Sequence, residues 1–115
     1  MSSIENADLK RLLADIIFWG ERLTLHLGSI GESEFHGDAT TCDAVCWCIA
    51  CIGEAAGAIS RRWPDYDAEL QLSSAYAMRN RIAHGYFKID FGIVWAAATV
   101  SVALVTAARA KIDAL

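Results

Sequence analysis

Apolar residues in the first part of the chain recur at mixed steps of three and four. Leu9, Leu12, Leu13, Ile16, Ile17, Leu23 and Leu27 predict a helix over about Asn6–Leu27. Gly28-Ser29-Ile30-Gly31 ends it with residues that tolerate left-handed backbone. Glu32 to Asp38 reads as a loop carrying Phe35, an aromatic able to plug the end of a bundle. Asp38, Thr40 or Thr41 can cap a second helix running through Val45, Trp47, Ile49, Ile52 and Ile59 to Arg62. Pro64 then breaks the chain. A third helix starts between Asp67 and Leu72 and reaches His84, with Gly85 as its exit; a fourth, capped by Asp90, runs to about Ala110. No period-two alternation or Asn-Gly hairpin signal is present. The fold expected is all-α: an up-and-down four-helix bundle of a single domain over residues 1–115.

The outward faces change this picture. The stretches Val45–Ala58 and Ile93–Ala108 offer almost no polar face. Hydrophobic residues make up 55% of the 115, more than a lone small domain hides, so a homodimer is expected. Phe91 to Ala108 contains no charge and is long enough to be weighed as a membrane span. Its alanines, Thr99, Ser101 and Thr106 keep its hydropathy modest and it has no partner span, so no membrane role is expected. The N-terminus has no basic stretch followed by an apolar run, and the expected location is cytoplasmic.

Cys42, Cys46, Cys48 and Cys51 lie within ten residues. On a helix their side chains point to roughly 0°, 40°, 240° and 180°, which cannot converge on a tetrahedral metal. They read as buried, reduced thiols.

Net charge is −4, which excludes a general nucleic-acid coat. Between Glu69 and Asp90, however, there is no carboxylate, while Arg79, Arg81, His84 and Lys88 fall together. Phosphate-binding glycine loops, H-E-x-x-H and G-x-S-x-G are absent. On a helix Asn80 and His84 share a face, while Arg79 lies about 140° from His84. The two converge only if the arginine reaches across, the helix unwinds at Gly85, or a second copy faces the first. Histidine suits proton transfer near neutral pH and arginine suits a phosphorane's added charge, so the chemistry that fits is metal-independent RNA cleavage, with no cofactor. One chain offers a single well-placed histidine for a reaction that wants an acid and a base, so a symmetric dimer with the site at its interface is expected. The plain alternative has Arg79 and Arg81 pairing with Glu54 of an apolar helix and His84 favoured by a helix C-terminus.

Arg79-Asn80-Arg81-Ile82-Ala83-His84-Gly85-Tyr86 resembles the R-x4-H-x-Y pattern of HepT-like toxins in the HEPN superfamily. Phe35…Asp38…Thr41…Asp43-Ala44, Ile52-Gly53-Glu54-Ala55-Ala56 and Asp90…Val94-Trp95 agree with it. The resemblance implies an all-helical, dimeric endoribonuclease toxin of a type II or type VII-like module, with Arg79 and His84 catalytic. Asn80, Arg81 and Glu54 would bind substrate or support the pair. The implied partner is a minimal nucleotidyltransferase antitoxin that transfers AMP to Tyr86. A Pro-Trp pair that many relatives carry before the motif helix is replaced by Gln71-Leu72, with Trp63-Pro64 further upstream. The second reading is a non-catalytic helical module binding a nucleotide or the partner through Arg79, Arg81 and Tyr86.

Overall fold

A computed structural model describes residues 1–85 and 90–115. Among these the chain is all-α, with α1 Ser3–Leu27, α2 Glu32–His36, α3 Ala39–Arg62, a 3-10 turn Pro64–Tyr66, α4 Asp67–Leu70, α5 Leu72–His84 and α6 Phe91–Ala114. The expected loop before α3 is thus a short helix, because Phe35 must turn fully inward. It is 0% exposed and packs its ring against Phe91 and Trp95 at 6.1 and 5.3 Å between centroids. One aromatic therefore ties the start of α6 to the α1–α3 connection.

The helix starts follow local chemistry. The Asp38 carboxylate accepts from the Thr41 amide at 3.0 Å and the Thr41 hydroxyl at 2.7 Å, satisfying an orphan donor of the first turn of α3. Those two bonds, the amide first, hold the Asp38 carboxyl below its usual 3.8. The stabilisation they bring is present above that pH and fades as pH falls through the lowered value. Asp90 caps α6 in the same way through Gly92 and Ile93.

The third predicted helix is two pieces. Gln71 sits in left-handed backbone at φ 52°, a conformation that costs a residue with a Cβ on the order of 1 kcal/mol. Asp67 offsets this by accepting from the Ser73 amide at 2.6 Å and its hydroxyl at 2.8–2.9 Å, so it caps α5 from six residues away.

Packing runs in the order α5–α3–α1–α6. The α1–α3 pair is antiparallel, with Arg62 bound to Asp8 at 3.0 Å at one end and Trp19 edge-on to Trp47 further along. Leu9, Leu13, Ile16, Leu23, Val45, Ile52 and Ile59 are sealed in this core. The α3–α5 pair, also antiparallel, is set by glycine. A Cβ on Gly53 would collide with the Arg79 Cβ and stand 2.7 Å from the Ala75 carbonyl, and one on Gly57 would enter the Tyr76 ring. The Gly-x3-Gly spacing removes two side chains from one face of α3 and lets the α5 backbone lie directly on it.

The arc does not close tightly. Among the described residues α5 and α6 scarcely meet, and an apolar groove of about 500 Å³ opens between them over Ile49 and Ile52 of α3. Met78 lines one wall, Val100 and Leu104 the other. Helices α3 and α6 are both long and apolar enough to cross a membrane by length and composition alone. They differ in burial: 61% of the apolar window of α3 is buried within the chain, against 28% for α6. Of these two helices, α6 carries more of the apolar excess expected from the sequence, with Val100 and Val102 exposed. The Ser101 hydroxyl is tolerated in this helix because it donates to the Ala97 carbonyl at 2.8 Å.

All four cysteines are free, with Cys42, Cys46 and Cys48 buried. Burial is the main cause that pushes the Cys46 thiol up to about 12 and raises the other three, so thiolate is suppressed at neutral pH. They serve as small apolar residues of α3.

The α3–α5 contact makes a stability prediction. Alanine gains about 0.5–1 kcal/mol over glycine within a helix, whereas overpacking costs about 1–3 kcal/mol. At Gly53 the obstruction is a Cβ and a backbone carbonyl, which cannot rotate away, so Gly53→Ala lowers the urea-unfolding free energy by about 1–2 kcal/mol. At Gly57 the obstruction is a ring that can swing, and Gly57→Ala costs less.

Candidate functional site

The last three turns of α5 carry the motif residues on two adjoining faces. Arg79 leaves the helix beside Gly53, where the missing Cβ gives its stem room to lie along α3. Its Nε stands 2.8 Å from Glu54 Oε2 in an ion pair, and its Nη1 donates to Asn80 Oδ1 at 3.0 Å. The arginine side chain is 32% exposed and that of Glu54 59%. A pair this wet contributes about 0–1 kcal/mol, so its main effect is on orientation. It fixes the guanidinium where α3 and α5 meet.

The bond to Asn80 decides where that guanidinium lies. Asn80 and His84 are one turn apart on a common face. By reaching onto Asn80, the arginine crosses part of the 140° that separates its own Cα from that of His84. Glu54, Arg79 and Asn80 thus form a linked row, and His84, exposed, lies one helical turn beyond Asn80.

His84 also borders a second feature. With Arg81, Gly85 and Asp90 it lines a hollow of about 320 Å³ between the end of α5 and the start of α6; Met78, Ile82, Ile93 and Val94 form the apolar walls. Arg79 does not line this hollow. The two arginines therefore separate: Arg79 takes the Glu54 pair, and Arg81 is exposed beside His84. The plain alternative of the sequence is realised for Arg79 and not for Arg81. Met78 and Ile93 line both the hollow and the long apolar groove, so the two spaces adjoin.

A family model described as Ribonuclease HepT-like matches residues 20–112. The chain belongs to the HepT-like ribonuclease family. No curated protein and no solved structure matched it. The match covers α2 to α5 entirely, most of α6 and the last third of α1, so every residue of the row and the hollow falls inside it.

Tyr86, the third position of the HepT-like motif in this chain, lies outside the described residues, as does Lys88. His26 and His36 are exposed, and His36 stands 3.8 Å from Glu32. Among the described residues no group of His, Cys, Asp or Glu is arranged to hold a metal ion.

Three parts of the site were not anticipated. Asp90 was read only as a cap, yet it stands in the hollow with Arg81 and His84. Gly53 was read only as part of a family match, yet it sets the approach of Arg79. The spacing Gly53…Gly57 was the available signal for a close helix contact. Third, the open α5–α6 seam has no local signature, since it depends on how four helices share three contacts.

If Glu54 orients Arg79 more than it stabilises the fold, Glu54→Gln changes the unfolding free energy by less than about 1 kcal/mol. Denaturant titration of the variant beside the parent protein checks this, and a larger loss would make the pair structural.

Proposed function

We propose that the protein is a metal-independent endoribonuclease that acts as a dimer, with Arg79 and His84 as its catalytic pair. The observation that carries this reading is the Arg79–Asn80–His84 row, half-buried at Arg79 and Asn80, exposed at His84, and within the matched region of a ribonuclease family. An arginine pinned by Glu54 and Asn80 keeps part of its fork free for a phosphate.

The reaction needs no group that the side chains lack. A base takes the proton of a ribose 2′-hydroxyl, and the 2′-oxygen bonds to the adjacent phosphorus. The bond from phosphorus to the 5′-oxygen breaks, and an acid returns a proton to that oxygen. Imidazole can do either transfer, neutral as base or protonated as acid. The guanidinium stabilises the charge that builds on the phosphorane. Asn80 holds the guanidinium, Glu54 tethers it, and Arg81 steers the strand from the hollow.

Two copies supply the second imidazole. The α5–α6 groove supports this arrangement, because its apolar walls need covering and it adjoins the hollow at Met78 and Ile93. A second copy seated there borders His84. The cell-level reading is a cytoplasmic toxin of a two-gene module, held in check by a minimal nucleotidyltransferase. That partner transfers AMP from ATP to the Tyr86 hydroxyl with release of pyrophosphate. The added phosphate and bulk would stand two residues from His84, where an RNA phosphate docks.

The Glu54–Arg79 pair also favours a second reading, a binding module whose arginine is structural. Kinetics separates the two. His84→Ala and Arg79→Ala are expected to lower RNA cleavage in the presence of EDTA by at least about 100-fold, in the range of a lost general acid–base or charge-stabilising group. Both variants should keep helicity and dimer mass, and His84→Ala should no longer inhibit growth. Parental cleavage by His84→Ala would leave only the binding module. Co-expression with the nucleotidyltransferase should add one adenylyl mass, mapped to Tyr86 and missing from Tyr86→Phe.

A further inference from the structure

Away from the motif helix, the outer surface of α1 and α3 carries rings that folding alone does not explain. Trp47 is 63% exposed and Phe18 53%. Trp19 stands edge-on to both, at 5.1 Å from Phe18 and 6.4 Å from Trp47 between centroids. The Arg22 guanidinium lies 5.7 Å from the Phe18 and Trp19 ring centres and joins none of the ion pairs among the described residues. Large exposed aromatics are costly to leave in water, and a cation resting on them without a carboxylate is one left available for an outside anion.

The position of this patch is the second observation. Trp47, Cys51 and Glu54 follow one another at helical spacing along the outer face of α3, and Glu54 holds Arg79. Trp47 and Glu54 are seven residues apart, about 10 Å along the axis. The patch and the Arg79–His84 row thus belong to one continuous strip. Asp43 lies one turn on the other side of Trp47 and is exposed. Asp15 is offset by Arg11 at 3.9 Å. Along α3 no carboxylate lies between Trp47 and Glu54, and Glu54 is paired with Arg79.

We propose that Phe18, Trp19, Trp47 and Arg22 form a stacking platform for unpaired bases of single-stranded RNA, holding the strand a few nucleotides from the cleaved phosphate. The proposal rests on the ribonuclease reading of the Arg79–His84 row and adds the substrate class: RNA with bases free to splay onto aromatic rings. Stacking accepts any base, because every base has a π-face, and Arg22 meets a phosphate or adds cation–π contact. Duplex RNA hides its base faces and is excluded.

The test separates binding from cleavage by using His84→Ala protein, with end-labelled oligouridylate followed by anisotropy and by tryptophan emission. The expected result is saturable binding with quenched emission, weakened about tenfold by Trp47→Ala and further by Phe18→Ala, with no competition from an RNA duplex. Both side chains are more than half exposed, so the variants should unfold at the parental denaturant concentration. In the protein with His84 intact, Trp47→Ala should raise KM and leave kcat nearly unchanged. Equal binding by parent and Trp47→Ala, or equal competition by duplex, overturns the platform. So does loss of a protein partner on Trp47→Ala with RNA binding intact, which would make the patch a protein-docking surface. Stacking that persists in a chain that never cleaves RNA would retain the platform and remove the ribonuclease reading.

Discussion

Helix α5 owes its position to the absence of two side chains. Gly53 and Gly57 leave a flat strip on α3, and the backbone of α5 lies on it closely enough that a Cβ at Gly53 would strike the Arg79 stem. The other features of the row follow from that approach. Arg79 is pressed along α3, so Glu54, the next residue after Gly53, is within reach of its Nε. The remaining length of the side chain then carries Nη1 to Asn80. A larger residue at 53 would lift α5, and the guanidinium would lose its anchor on α3 before the fold lost its core. The site is sensitive to helix spacing because its arginine is held by two helices at once.

The same close approach leaves a deficit elsewhere. With α5 drawn onto α3, and α6 held on α1 by Val105 at Gly20 and by the Arg109–Glu21 pair, the α5–α6 seam stays open among the described residues. Among the described residues the short α4 spans it through Glu69, which meets Lys111 at 2.8 Å while the lysine lies over Tyr66. The seam exposes apolar walls and ends beside His84. The proposed dimer therefore has a physical motive within one chain, since covering the groove and completing the acid–base pair would be the same event.

Much of this was legible from residue pattern. Helix periodicity located all four long helices, with ends displaced by a few residues at Ser3 and Ala114, and Asp38 and Asp90 were correctly placed as caps. The short helix Glu32–His36 was missed because a single buried aromatic drives it and five residues carry no periodicity. The break at Gln71 was missed because glutamine gives no left-handed signal; the bonds from Ser73 to Asp67 hold it there. At the site, one residue spacing supplied Arg79, Asn80 and His84. Which arginine would meet Glu54, and that Arg81 would instead join His84 and Asp90, depended on the register between α3 and α5. The exposed ring cluster was hidden for a simpler reason: Trp19 and Trp47 sit in apolar runs, where a sequence shows hydrophobicity and not outward direction.

In the proposed reaction a guanidinium and imidazoles alone drive attack by the 2′-hydroxyl. This is tested most directly by the chemistry of the RNA ends made by the purified protein in EDTA. Such an attack leaves 2′,3′-cyclic phosphate on one fragment and 5′-hydroxyl on the other, both missing when His84 is replaced by alanine. Fragments bearing 5′-phosphate, or cleavage that EDTA abolishes, would contradict it.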